Sequence, residues 1–384
     1  MPLSAPRKAR VSEYDELIAF LNRIFNIRMD LEYCHIYKPT AKDMANNIVV
    51  VEDGRIISCV GIFPMTFVCG EVRLSVGGIG GVSTDPQYRG RGLMTEILNK
   101  AISMMERRNY DISILWGERL RYGRFGWENA GRHYTFNIDR RHVVPGKPEG
   151  AEIRPLSKAG DDLRRIAQLY EQWELRVHRT PAKLKSVFSR DTYETWVWRK
   201  GKALAYTTIK GTGKDRELIE FGGDLGGLDD LLSFLFEKHE LENLRGTIPV
   251  SRSPYVRFIV DHSSEWGVRF SRQARAGMVK ILNLKSVLQK FARQIGRKCQ
   301  GLGVKGSLTL EMTDSGQFAT LHFGRSVTVS ERKMKPVLSL SDREMVRLIF
   351  GTIPPSHSLR LGKSLPYLDG IFPLDFYVPR LDWV

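Results

Sequence analysis

At 384 residues the chain is too long for one ordinary core, and its length points to two or three domains. Hydrophobic content of 42%, aromatics at 10% and no long biased tract describe a globular protein rather than a disordered or fibrous one. A formal net charge of +16 favours anionic partners without naming one; no apolar run approaches the roughly 18 residues of a membrane span, and the first residues lack the apolar core of a secretion signal. A cytoplasmic protein with no membrane partner is therefore expected. Cys34, Cys59, Cys69 and Cys299 have neither a paired nor a framework spacing, so buried thiols are expected rather than disulfides or a metal site.

In chain order, "SEYDELIAFLNRIFN" places Leu17, Ile18, Leu21, Ile24 and Phe25 at helical spacing, with Ser12 as the expected N-cap. "NIVVVEDGRIISCVGIFPMTFVCGEVRLSVGG" reads as antiparallel strands with a hairpin at Asp53-Gly54 and a turn near Gly70. A helix follows over "GLMTEILNKAISMMERRN", with Leu93, Met94, Ile97, Leu98, Ala101, Ile102 and Met105 on one stripe, then short strands in "DISILWG" and "HYTFNID". "VVPGKPEGAEIRPL" reads as a linker.

Beyond it, a second α+β segment has a helix around "DDLRRIAQLYEQWELR", strands in "ALAYTTIKG" and "RELIEFGGD", and a helix in "GLDDLLSFLFEKHEL". Its order of elements echoes the first segment. A third segment opens with a helix expected over "MVKILNLKSVLQKFARQIG", continues with strands in "GSLTLEMTD", "FATLHFG" and "SVTVS" and a helix in "SDREMVRLIFG", and closes on the aromatic tail "LPYLDGIFPLDFYVPRLDWV". An apolar tail of this kind is expected to be held down rather than frayed. The domains expected are residues 1–145, 146–276 and 277–384.

The stretch "VSTDPQYRGRGLM" carries the most chemistry. Gly90 and Gly92, flanked by Arg89 and Arg91, can bring bare backbone N–H groups to a large anion, and the helix that starts at Leu93 aims its positive end at the same place. A nucleotide P-loop would need Lys-Ser/Thr where Leu93-Met94 stand, and a Rossmann fingerprint would need a parallel βαβ unit.

The whole stretch resembles the acetyl-coenzyme A motif of the GNAT acetyltransferases. The resemblance implies an α+β GNAT fold, a mixed and mostly antiparallel sheet flanked by helices. Backbone groups of Val82, Ser83 and Thr84 would pair with the pantetheine arm, and the amides of Gly90, Arg91, Gly92, Leu93, Met94 and Thr95 would hold the diphosphate. Acetyl-coenzyme A would be the cosubstrate, with no metal. "GERLRYGRFGWENAG", Gly117 to Gly131, is similar to the corresponding stretch of one branch, the enhanced intracellular survival acetyltransferases, and the resemblance covers the entire chain.

That branch implies an active GNAT domain, a degenerate second one and a C-terminal domain similar to sterol carrier proteins, assembled as a hexamer of paired trimers. It also implies Tyr122 as general acid and the carboxylate of Val384 as base, acting on a small-molecule or peptide amine. Gly117 and Glu118 are counted with the cofactor-binding positions; Glu118 is also an alternative base, though an exposed surface glutamate is its expected identity. Characterised relatives end in phenylalanine and use acidic pockets for polycationic amines; this chain ends Asp382-Trp383-Val384 and is basic, which argues against an aminoglycoside or polyamine acceptor. Only Asp382, Asp375 and Asp369 offer acid near the tail, with ordinary surface charges as the other reading of them. Two other readings are a coenzyme A-binding protein without catalysis and a nucleic-acid binder using Lys285, Lys290, Arg293, Arg297, Lys298 and Lys305, whose side chains otherwise form a solvated helix face.

Overall fold

The computed structural model describes residues 4–144, 146, 149–157, 161–250, 253–268, 277–361 and 365–384. Pro145, Lys147 and Pro148 of the expected linker, and the boundary at 276, lie outside the described residues. The first segment contains α1 (Tyr14–Phe25), β1 (Asn47–Glu52), β2 (Arg55–Cys69), β3 (Val72–Thr84), α2 (Leu93–Arg107), β4 (Ile112–Leu115), α3 (Arg119–Gly123) and β5 (His133–Asp139). The second contains α4 (Asp162–Tyr170), β6 (Leu175–Val177), β7 (Tyr193–Lys200), β8 (Ala203–Lys210), β9 (Asp215–Gly223), α5 (Leu225–Lys238) and β10 (Asn243–Pro249). The third contains β11 (Met278–Ile281), α6 (Leu284–Gly301), β12 (Gly306–Met312), β13 (Phe318–Phe323), β14 (Val327–Ser330), β15 (Val337–Leu340) and α7 (Asp342–Phe350).

Local chemistry accounts for most of these elements. Asp53 and Gly54 both adopt positive φ, the conformation a two-residue hairpin turn demands. On α2, Leu93, Ile97, Leu98, Ala101 and Met105 are buried together, as the spacing requires. Three expectations fail at element ends. Ser12 lies inside a short 3₁₀ turn, and the residue before α1 is Glu13. The helix expected to run through "WELR" stops at Tyr170, because Leu175–Val177 pairs with the edge of β2, burying Leu175 and Val177 beside it. "MVKI" is a strand whose four residues are all buried, and the helix starts only after Asn283, whose side chain accepts from the Ser286 N–H at 2.9 Å.

Sheet membership does not follow the linear segments. In the first sheet β1, β2, β3 and β4 run side by side, and β11 from the third segment pairs antiparallel with β4. In the second sheet β7, β8, β9 and β10 run in the same order, and β5 from the first segment pairs antiparallel with β10. Each sheet thus has three antiparallel strands, a helix crossover (α2 or α5) to a parallel neighbour, and then a strand contributed from outside its own segment. This is one architecture twice, with strands exchanged.

The third sheet, β14-β13-β12-β15, packs with α6 and α7 into one continuous core with β2, β3 and β11 of the first sheet, through residues such as Phe67, Leu74, Phe291 and Leu348. Several basic side chains of α6 find partners within the fold. Lys290 meets the buried Asp111 at 2.5 Å, Arg293 meets Glu71 at 2.5 Å, Lys285 meets Glu331 at 2.8 Å and Lys298 donates to the Ile371 carbonyl at 2.9 Å. The cluster is a largely solvated face, as expected, with Lys290, Arg293, Arg297 and Lys305 exposed, and through Lys290 and Arg293 it also ties the third segment to the first.

Candidate active site

β3 and β4 pair in parallel only from Val76↔Ile112 to Ile79↔Leu115, and beyond that the two strands part. The cause sits in β3, where the register against β2 slips between Cys59 and Gly61 and Gly81 takes φ +60. From Gly80 to Thr84 the β4-facing edge of β3 is therefore left without a strand. Val82 and Thr84 are half-buried there, while the Ser83 hydroxyl turns back to the Gly81 carbonyl at 3.0 Å. Any ligand contact from Ser83 would come from its backbone.

At the far end of β3 the chain turns through Pro86–Tyr88 into the glycine loop. Gly90 and Gly92 both have φ +80, and a Cβ at either position would project into open space. Gly92 caps α2 without any side-chain bond, so the amides of Leu93, Met94 and Thr95 open the helix with no capping side chain. Exposed Arg89 and Arg91 flank them, with the Arg91 guanidinium 4.9 Å from the Tyr88 ring. An open cradle of amides with two cations at its rim fits a diphosphate group.

The second sheet lacks this cradle for a visible reason. β9 passes straight into α5, whose cap is Asp224, accepting from the Gly227 N–H at 2.9 Å. A carboxylate occupies the place an anion would need. The parting of β9 from β10 is filled as well: Tyr377 donates to the Thr247 carbonyl at 3.2 Å, and Tyr377 and Pro379 stand beside Phe221 and Ile248.

The tail that fills the second sheet ends in the first. Asp382 is fully buried and accepts from Arg179 Nε at 3.1 Å and Nη2 at 2.8 Å, while Arg179 also holds Glu220 through bonds of 2.9 and 2.6 Å. Arg190 donates to the Leu381 carbonyl at 2.8 Å. Asp382 is thus an anchor rather than an ordinary surface charge. Asp375 pairs with Arg132 at 2.9 Å, and Asp369 accepts from the Ser356 N–H at 2.9 Å. Trp383 stacks on Trp116 at 4.8 Å between centroids, and the Trp383 carbonyl accepts from His35 Nε2 at 3.2 Å.

Val384 then lies against β3. A Cβ built on Gly80 would stand 2.8 Å from the Val384 carbonyl carbon, and one on Gly78 would stand 2.7 Å from Val384 Cγ2. Only glycine at both positions leaves this room. The run "GGIGG" in a strand interior is the signal that could have marked a close approach here; Trp116, His35, Arg179 and Glu220 carried none.

Tyr122 stands on the opposite side of the same cavity. Its ring is buried on Gly117, where any side chain would collide with it, and sits edge-on to the fully buried Trp127 at 6.5 Å. The hydroxyl makes no hydrogen bond to any described residue. Burial pushes its pKa up, so the phenol carries its proton at neutral pH. Glu128, buried behind α3, would be raised by burial, but bonds from Arg119 and Arg343 (2.8 Å) hold it low and tie α3 to α7. Glu118 is exposed, does not line the cavity and is committed to capping α3, accepting from Leu120 N–H at 3.0 Å and Arg121 N–H at 2.9 Å. This is the surface position that the sequence favours for Glu118, with a capping role added.

Residues 5–130 match the acetyltransferase (GNAT) domain family. The chain carries a GNAT acetyltransferase domain. Its relatives include the uncharacterized N-acetyltransferase YhbS of Escherichia coli, 26% identical over 156 residues that span 41% of this chain and 88% of that protein. The full architecture is shared with solved structures. A GCN5-related N-acetyltransferase from Anabaena variabilis superposes over all of both chains with a TM-score of 0.75 at 16% identity. A probable N-acyltransferase from Enterococcus faecalis gives 0.77 at 17%, over 100% of this chain and 99% of that one. Eis1 from Mycobacterium abscessus gives 0.67 at 13%, over 99% of each. At such identities the likeness speaks for the fold alone, and the assignment as an acetyltransferase rests on the domain that residues 5–130 match.

Burial gives the tail a pH dependence. His35 is held neutral well below its ordinary 6.5, through burial first and the nearby Lys183 and Arg190 next, and its Nδ1 has no partner among the described residues. The unfolded chain binds a proton at His35 as pH falls through about 6.5 while the folded chain does not, so stability declines below that point. Thermal unfolding is expected to shift to lower temperature between about pH 7 and 5, and less so in His35→Gln. An equal shift in both proteins would assign the dependence to other groups.

Proposed function

We propose that this GNAT acetyltransferase moves an acetyl group from acetyl-coenzyme A to the nitrogen of a primary amine by direct attack within a ternary complex. The observation that carries the reading is the meeting of Tyr122 and Val384 in one cavity where β3 and β4 part, at the end of the strand edge that leads from the glycine loop. Acetyl-coenzyme A supplies the thioester carbonyl. The amides from Gly90 to Thr95 would hold its diphosphate, and the free β3 edge at Val82 and Thr84 would pair with its amide arm.

Within this reading the amine nitrogen bonds to the thioester carbon, the C–S bond breaks, and Tyr122 gives its proton to the departing sulfur. A phenol near pKa about 10 can do so for a thiol near about 8.5 because it is held close and kept protonated by burial. The Val384 carboxylate takes the proton that the nitrogen sheds. An α-carboxyl near about 3.5 is a weak base toward a free ammonium, but the nitrogen's proton becomes far more acidic as its bond to carbon forms. The second sheet, its cradle closed by Asp224 and its cleft filled by Tyr377, acts as the clamp on the tail. The third domain, for which a kinship to sterol carrier proteins is proposed from sequence alone, delivers that tail to the clamp.

Tyr122→Phe tests the acid. It keeps the ring on Gly117 and removes only the hydroxyl, so turnover should fall about 10²-fold with coenzyme A affinity unchanged. Near-normal turnover, measured as thiol release, would leave Tyr122 a packing residue.

A further inference from the structure

We infer that the acceptor is an arylalkylamine, a single primary amine on a flat apolar body. This rests on the reading of the chain as an amine acetyltransferase. The cavity that holds Val384 and Tyr122, about 180 Å³, is shared: its Gly81 and Val82 side would take the acetyl thioester, and the remainder opens on the acceptor side. Its walls away from the glycine loop are Phe25, Tyr33, Tyr37, Trp116 and Trp383, with Ile27 completing the rim. Phe25 and Ile27 are 39% and 41% exposed, so the apolar surface continues from the cavity to solvent.

Charge completes the selection. No Asp or Glu side chain is among the described residues of the lining, and the acids nearby are engaged: Asp30 by Arg28, Glu32 by Lys210 and Asp382 by Arg179. His35, bonded to the Trp383 carbonyl, feels the positive fields of Lys183, Arg190 and Lys38. The terminal carboxylate of Val384 would balance one ammonium and no more. A second ammonium would enter among rings with no counter-charge and near those positive fields, which is unfavourable. Polyamines and amino sugars are thereby disfavoured, and an aromatic ring beside a single amine is selected.

The test measures kcat/KM by thiol release with 2-phenylethylamine, spermidine and glucosamine, alongside calorimetry of coenzyme A binding. 2-Phenylethylamine should exceed the other two by about 10- to 100-fold, the range a pocket of this kind can discriminate. Ile27→Asp, at an exposed position, should shrink that ratio at least about tenfold while the protein stays folded by circular dichroism. Spermidine or glucosamine turning over as well as 2-phenylethylamine, a ratio indifferent to Ile27→Asp, or coenzyme A binding with no turnover of 2-phenylethylamine would overturn the inference. Loss of coenzyme A binding together with silence toward every amine would instead overturn the acetyltransfer reading beneath it.

Discussion

A few glycines added after Val384 should reduce acetyl transfer by at least about 10²-fold while coenzyme A still binds. The terminus has nowhere to go: its carbonyl carbon already lies so near Gly80 that a methyl there would overlap it, and Trp383 is pinned by Trp116 and His35. Extension must therefore pull Val384 out of the cavity or replace its charge with a peptide bond. Deleting Trp383 and Val384 should give the same loss and add a destabilisation of about 3 kcal/mol from the vacated ring site. A terminus amidated by ligation separates the two effects, because it keeps the packing and removes the charge. Full activity in a C-terminally tagged enzyme would sink the carboxylate role.

Gly92→Glu should abolish coenzyme A binding and leave the far-ultraviolet circular dichroism unchanged. Gly92 has φ +80 with open space around it, so the new side chain meets no protein atom, although the left-handed backbone costs about 1–2 kcal/mol. What changes is the charge at the mouth of α2, where the diphosphate would sit. The chain contains its own precedent in Asp224, whose carboxylate caps α5 in the second sheet. Gly92→Ala separates backbone strain from charge and should retain much of the affinity. Calorimetry giving equal affinity for Gly92→Glu and the parent would remove the glycine loop from the site.

The parts of this site that were legible in sequence are those written in local chemistry. Gly90 and Gly92 between arginines, the strand before them and the amphipathic α2 are all consecutive, and the hairpin at Asp53-Gly54 announces its own turn. Tyr122 and Val384 became candidates only through resemblance, since nothing in their neighbours says that they meet. The remainder depends on contacts between residues remote in sequence. Arg179 and Asp382 are 203 positions apart, and each looks like a surface residue until the other neutralises it in the interior. The sequence pattern assigns "MVKI" to a helix because three apolar residues and a lysine beside a periodic stretch satisfy either pattern, and only the vacancy beside β4 makes them a strand.

That vacancy bears on how the protein is made. Because β5 leaves for the second sheet and β11 comes back to complete the first, neither sheet is completed by the segment that supplies most of its strands. A fragment confined to the matched residues 5–130 would present β4 as a naked edge of buried isoleucines, the kind of surface that recruits strands from other molecules. On the ribosome the glycine loop emerges early, yet its sheet waits for Met278–Ile281 before it can close. The first sheet is thus finished only by the third segment, and the second only by a strand of the first, so the sheets close together rather than one after the other.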